Sequence, residues 1–260
     1  MDSMKIIINA DDLGKSLDVN NAIFKFMDEG LITSSTIMAN GSSVEDAIER
    51  SKKYPNCSFG IHLNLTEFVP VSNNNDLSPI LDKDGFFLKN KKIIKKTHFT
   101  VSLRKAIYLE LCSQVEKLHS LGINISHIDS HHHIHVLNKM FPIIKQIQKK
   151  YSIKKIRISN NVYDFPDSFS ARLLIYFKII YRNTYKFKLK NIKYKSITTS
   201  GFGSLMSFYK APTKYNLKHE SIELSVHPGH KSYQKENSIL KTDWYNKLRI
   251  NNEFINYKQL

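Results

Sequence analysis

Lys5-Ile6-Ile7-Ile8-Asn9-Ala10-Asp11-Asp12-Leu13-Gly14 is the stretch on which the fold turns. A β-favouring aliphatic run closes on two acids and a glycine. Residues 16–29 then carry Val19, Ile23, Phe26 and Met27 at helical spacing, and Gly30 stops the pattern. A strand feeding an amphipathic helix is the first half of a βα unit, and the same switch of period recurs along the chain. Strands are expected at 5–10, 32–38, 58–64, 124–129, 154–158, 196–200 and 222–227, and helices at 43–53, 102–121, 138–150 and 168–188. The clearest helix is 102–121, with Leu103, Ile107, Leu111, Val115 and Leu118 on one face and Gly122 at its end. Alternating strands and helices imply parallel pairing through right-handed crossovers. Seven such units in 260 residues predict an α/β fold, a distorted or incomplete (β/α) TIM-like barrel. No G-x-G-x-x-G or P-loop follows the first strand, which disfavours a nucleotide-binding sheet.

Residues 1–260 are read as one domain, with 67–100 (Pro70, Pro79 and Asn73–Asp76) as a long loop insertion after a strand. The 41% hydrophobic and 24% charged content is that of a globular protein and argues against disorder. Cys57 and Cys112 lie far apart and suggest buried thiols, not a disulfide framework or a cysteine-based zinc site. The start of the chain lacks the basic and apolar segments of a signal peptide, so a cytoplasmic location is expected. The formal charge of +16 comes from dispersed lysines and no nucleic-acid module is present, so nucleic acid is not an expected partner. Residues 171–190 mix aromatics and aliphatics with Arg172, Lys178, Arg182, Lys186, Lys188 and Lys190. They admit two readings, an outer barrel helix with a basic edge or peripheral contact with an anionic membrane. A homodimer is compatible with either.

Five segments carry chemistry. Asp11 and Asp12 end the first strand, where adjacent carboxylates repel unless a cation relieves them, although a helix-capping pair is the plain alternative. In Gly60-Ile61-His62-Leu63-Asn64-Leu65 the alternation sends His62 and Asn64 to one face. His127-Ile128-Asp129-Ser130-His131-His132-His133-Ile134-His135 gathers five of the eleven histidines into nine residues. A continued extended conformation would point His127, Asp129, His131, His133 and His135 to one side, ready to converge on a metal. Arg157 on the fifth strand suits a carboxylate or an acetyl-sugar oxygen, and reads equally as a surface cation. In Val226-His227-Pro228-Gly229-His230 the Pro-Gly turn leaves His227 at a strand end. All of these fall near C-terminal ends of expected strands, the rim where (β/α) barrels build active sites.

Asn9–Gly14, Gly60–Leu65, His127–His135 and His227-Pro228-Gly229 together resemble the ordered motif set of the YdjC-like carbohydrate deacetylases, which include chitooligosaccharide and hopanoid-type enzymes. The resemblance runs from residue 5 to about 230, and Leu13 stands where the family more often has an aromatic residue. It implies hydrolysis of the N-acetyl group of an acetylated amino sugar and one divalent metal ion, Mg2+ or Zn2+. By motif, Asp12, His62 and His131 are the implied metal ligands, Asp11 the general base and His227 the general acid. Asp129 is expected to orient a ligand histidine, while His133 and His135 are left between supplementary ligands and sugar contacts. Competing readings are a metal-dependent phosphoesterase or amidohydrolase on a similar barrel, and a non-catalytic sugar-binding relative.

Overall fold

The computed structural model describes residues 3–158, 195–210, 220–248 and 251–260. The expected helix 168–188 and the basic stretch 171–190 lie outside the described residues. Strand β1, Met4–Leu13, is followed by α1, Leu17–Asp28, then β2, Ser34–Ile37, α2, Val44–Ser51, and β3, Ser58–Leu63. Two helices precede β4: the short α3, Lys91–Lys96, and the long α4, Val101–Ser120. After β4, Ile128–Ser130, come α5, Phe141–Tyr151, then β5, Gly201–Ser204, β6, Ser221–Val226, and β7, Asn252–Phe254.

All the strand pairs are parallel, in the order β4-β3-β2-β1-β6-β5, with β7 also on β1. The sheet curls, as a distorted TIM-like barrel requires. Single parallel bridges, Ile128↔Ile156 and Lys155↔Ile197, carry the pairing on from β4 toward the segment that enters β5. Two expected strands are thereby corrected. Residues 154–158 and 196–200 supply isolated bridges, and the strand expected at 196–200 begins at Gly201. Arg157 turns inward to a cluster of acids and Lys155 reaches to the Tyr257 and Lys258 carbonyls, so side-chain demands cut the ladder short.

β1 shows how the barrel divides inside from outside. Ile6, Ile8 and Ala10 pack among the helices in the main core, whereas Ile7 belongs to a separate small cluster with Ile255 and Tyr257. Residues two apart share a face, so Asn9 and Asp11 follow Ile7 into the interior. On β6 the register pairs Ile7 with Glu223 and Asn9 with Ser225, which sends Glu223, Ser225 and then His227 up the same side. Inward polar groups bond to each other across the strands. Ser34 Oγ donates to Asn9 Oδ1 (2.7 Å), Ser58 Oγ donates to Ser34 Oγ (2.9 Å), and Thr36 Oγ1 donates to Asp129 Oδ2 (3.0 Å). This interior is polar where most barrels stack branched apolar side chains.

The segment expected as a loop insertion carries the 3-10 turn Asn75–Ile80 and α3. Glu110 of α4, fully buried, receives the N–H groups of Val71 and Ser72, the Ser72 hydroxyl and the Gln114 amide. Gln114 in turn bonds both backbone groups of Asn64. Helix α4 thus fixes the path of the chain as it leaves β3.

A glycine is required at position 60. A Cβ there would lie 2.5 Å from His127 Cε1 and 2.7 Å from the His127 backbone oxygen. The ring cannot retreat, because Tyr257 stacks on it at 3.6 Å between centroids. Gly60→Ala is expected to destabilise the fold by about 1–3 kcal/mol, as overpacked cores do. Denaturant melts of the two proteins check it, and an unchanged midpoint would mean that the His127 layer yields freely.

Candidate active site

Asp11 and Asp12 do not cap α1. Ser16 does, accepting from Val19 N. A bulge between Ala10 and Leu13 and a left-handed backbone at Asp12 (φ 69°) instead turn both carboxylates into the barrel mouth. Asp is among the residues that tolerate this conformation best.

Around Asp12 three imidazoles converge. His62 Nε2 lies 3.1 Å and His131 Nδ1 2.9 Å from Oδ1, and His230 Nε2 lies 3.0 Å from Oδ2. One ligand atom from each of Asp12, His62 and His131 falls within a 4.8 Å sphere of mutual distances, and all three residues are buried. Despite these short distances, Asp12 Oδ1 and His131 Nε2 have no aligned hydrogen-bond partner among the described residues. Buried polar atoms are seldom left that way without a role for an ion or water. The donor set of two imidazoles and a carboxylate therefore fits a divalent cation. Burial by itself raises the Asp12 carboxyl, but the His131, His230 and His62 side chains hold it well below the ordinary range.

The far nitrogens of the two central histidines meet carboxylates. His62 Nδ1 is 2.7 Å from Asp129 Oδ1, as a metal-ligating histidine requires of its outer nitrogen. His131 Nε2 is 3.0 Å from Glu67 Oε2, which is also bound by Lys15 Nζ (2.7 Å). Despite a desolvation cost that opposes charge, Asp129 and Asp12 raise His62 to about 10.

Asp11 sits beside this cluster on a different support. Arg157 grips it with a two-pronged contact, Nη2 to Oδ1 at 2.6 Å and Nη1 to Oδ2 at 2.8 Å, and Asn9 Nδ2 donates to Oδ1 (3.0 Å). Burial pushes the Asp11 carboxyl up, yet the Arg157 guanidinium holds it below its usual value. His227 Nε2 faces Asp11 Oδ2 at 3.8 Å. The other edge of His227 is held by Glu236, which is 1% exposed and accepts from the backbone N–H (2.9 Å) and lies 3.3 Å from Nδ1. Burial lowers His227, but Glu236 and Asp11 outweigh it and raise the imidazole above its ordinary value.

The histidine run departs from the extended expectation. β4 ends at Ser130, and His132 and His133 take left-handed backbone conformations (φ 54° each) within a 3-10 turn over His131–Val136. The four side chains consequently diverge. His131 faces Asp12, His132 bonds Thr66 Oγ1 (3.0 Å), and His133 packs edge-on to Phe202 at the cavity wall. His135 is buried against Ser130 and the Arg157 carbonyl and lines no part of the cavity. Arg157, 0% exposed, likewise lies beneath the site, with Phe202 over its guanidinium at 4.9 Å. A direct contact from Arg157 or His135 to a sugar is thereby corrected to an internal, supporting placement.

The cavity over these groups has a volume of about 790 Å3 and is lined by Asp11, Asp12, His62, His131, His227 and Tyr233, among others. Sequence reasoning missed Glu67, His230 and Glu236. His230 did carry a signal, as a second histidine across the Pro228-Gly229 turn. Glu67 and Glu236 are lone acids whose partners lie far away in sequence or on another element, and no local pattern marks them.

Burial holds His127 down to about 3 and His135 to about 4, against an ordinary value near 6.5. Unfolding below pH 6.5 therefore takes up protons that the folded rings refuse. Their contribution is complete above pH 6.5 and is lost as pH falls toward 4 and 3. At about 1.4 kcal/mol per proton and pH unit, these two rings alone are expected to lower stability by roughly 3 kcal/mol per pH unit near pH 5, and His132 and His133, held down to about 4 and about 3, act in the same direction. Denaturant midpoints from pH 7 to 4.5 measure this, and a flat profile would show both rings protonated in the fold.

A family model described as YdjC-like protein matches residues 5–253. Carbohydrate deacetylases of Vibrio campbellii and Clostridium beijerinckii are each 35% identical over 150 residues, 58% of this chain and 57% and 58% of theirs. A carbohydrate deacetylase of Oceanobacillus iheyensis is 33% identical over 171 residues, covering 63% of this chain and 69% of the relative. The matched part of the chain thus spans somewhat over half the length of the first two relatives. A crystal structure from Enterococcus faecalis V583, provisionally named a cellobiose-phosphate cleavage protein, aligns over 99% of this chain and 98% of its own. Its TM-score is 0.74 at 20% identity, a likeness of fold.

Proposed function

The chain belongs to the YdjC-like protein family, and on that premise we propose that it hydrolyses the N-acetyl group of an acetylated amino sugar with the help of one divalent cation. The observation that carries this reading is the division of labour between adjacent carboxylates. Asp12 lies among His62 and His131 in a cation-binding geometry, while Asp11, which also comes near His62 and Asp129, is gripped by the Arg157 fork. A ligand alone needs no such neighbour, and a proton-accepting group does.

Asp12, His62 and His131 would hold the cation. When bound, it would acidify a water and polarise the acetyl carbonyl. Asp11, ionised because Arg157 favours its charged form, accepts the proton of the attacking water. His227, which Glu236 and Asp11 raise above its ordinary value despite burial, donates from Nε2 to the departing amine nitrogen, and Glu236 on its opposite edge keeps Nε2 turned to the cavity. Asp129 orients His62 through Nδ1. His133, Phe202 and Tyr233 supply ring surface where a pyranose would rest.

Acetate release from N-acetylglucosamine oligomers, run beside a panel of phosphate esters, tests the reading. Metal-depleted protein is expected to be inactive and to recover with Mg2+ or Zn2+, with acetate as the product. Phosphate release without acetate, or full activity after chelation, would overturn it.

A further inference from the structure

Residues 255–258 lie on the side of the barrel opposite the cavity, stitched across the starts of its strands. Thr33 Oγ1 donates to Ile255 O, Asn256 Nδ2 to Asn56 O, Lys258 Nζ to Pro55 O, and Lys155 Nζ to Tyr257 O. Ile255 and Tyr257 of this segment pack inward beside Ile7, and Tyr257 reaches furthest into the polar interior. Tyr257, 0% exposed, stacks on His127 and donates its hydroxyl to Glu223 Oε2 at 2.5 Å. Glu223 Oε1 accepts from Arg157 Nε at 2.8 Å and lies 2.7 Å from Nη2. Arg157 then forks onto Asp11. Tyr257, Glu223 and Arg157 are fully buried and Asp11 is 3% exposed.

We propose that Tyr257 is a positioning residue for Asp11, acting through Glu223 and Arg157, so that the floor of the barrel sets the aim of the proton-accepting carboxylate at its rim. The inference rests on the reading of Asp11 as the base.

A guanidinium is planar, and its donors are fixed relative to one another. Whatever rotates the Nε edge of Arg157 also tilts the fork that holds Asp11. Glu223 is what holds that edge, and it is a long side chain whose second oxygen is fixed by the Tyr257 hydroxyl. Without the hydroxyl, Glu223 Oε2 becomes a buried acceptor lacking this partner and turns to find another. The movement passes to Asp11, and catalytic groups displaced by as little as 1 Å lose up to roughly 100-fold in rate. Stacking on His127 is the merely structural task of Tyr257, and a phenylalanine performs it equally.

Tyr257→Phe therefore isolates the hydroxyl. In the metal-loaded protein its kcat for acetate release is expected to fall about tenfold, the 1.4 kcal/mol equivalent of one lost hydrogen bond to a charged group, with KM and divalent-ion affinity unchanged. Glu223→Gln alone is expected to lower kcat at least as much, and Tyr257→Phe added to Glu223→Gln is expected to lower it no further. Thr33→Val removes a stitch of the same segment that lies off the chain of bonds, the one to the Ile255 carbonyl, and is expected to lower Tm while leaving kcat at the wild-type value. Wild-type kcat in Tyr257→Phe, independent losses in the double variant, or an equal kcat loss in Thr33→Val overturns the proposal. Asp11→Asn separates the two levels. An active Asp11→Asn removes the base assignment itself, whereas an inactive Asp11→Asn beside a fully active Tyr257→Phe removes only the coupling.

Discussion

Asp12→Asn is expected to cost the protein its divalent cation and, with it, acetate release. Three imidazole nitrogens stand within 3.1 Å of the Asp12 carboxylate, and its Oδ1 is the point shared by His62 and His131. An amide keeps the shape but presents a neutral oxygen or an N–H to the cation. Removing an outer-sphere partner of a metal site costs about 10–100-fold in affinity, and loss of the anionic ligand exceeds that. The fold itself is expected to survive, since the amide can still bond the ring nitrogens and one buried charge is removed. Calorimetric titration with Zn2+ and Mg2+ measures the affinity, and near-ultraviolet circular dichroism reports the packing. A folded Asp12→Asn protein that binds the cation as tightly as the wild type would move the site elsewhere. His131→Ala is the companion test, since it deletes a ligand without touching either carboxylate.

Where local pattern and tertiary need agree, the sequence was legible. Ile6–Ile8 and the helical spacing after Ser16 marked β1 and α1, and Leu103 to Leu118 marked α4, found at Val101–Ser120. The alternation Ile61-His62-Leu63 placed His62 inward because β3 is regular there. Alternation failed at His131–His135 because two consecutive histidines adopt a left-handed turn, a conformation that composition does not announce for residues other than glycine. Residues 154–158 look like a strand by their Ile content, but the ladder yields to Arg157, whose partners Asp11 and Glu223 lie 146 and 66 positions away. Such a buried ion cluster has no sequence period. Tyr257 and β7 were invisible for a similar reason, being short, terminal to the motifs and defined by what they touch.

Asp11→Asn is expected to leave the cation bound and lower kcat by about 10²–10⁴-fold, the usual worth of a general base. The geometry makes the two effects separable. Asp11 contacts Arg157 and Asn9 and stands 3.8 Å from His227, while Asp12 supplies the oxygen shared by His62 and His131. The substitution also breaks a buried ion pair, which costs about 3–5 kcal/mol when one partner is removed, although Asp129 and Glu223 still neutralise Arg157. A lower Tm is therefore part of the expected result, and the rate is to be measured well below it. The pH profile supplies the sign. Arg157 holds Asp11 below the ordinary carboxylate range, so the base is ionised across the neutral region and its acid limb lies below pH 4. Loss of activity between pH 6.5 and 4 instead tracks the unfolding that the buried His127 and His135 drive, together with release of the cation as its histidine ligands take up protons. On the alkaline side, activity falls as His227 loses its proton, above its ordinary 6.5. Asp11→Asn is expected to abolish the acid limb in the residual activity while keeping the alkaline one. A folded, cation-loaded Asp11→Asn protein with the wild-type rate and both limbs would transfer the role of base to another group at the rim.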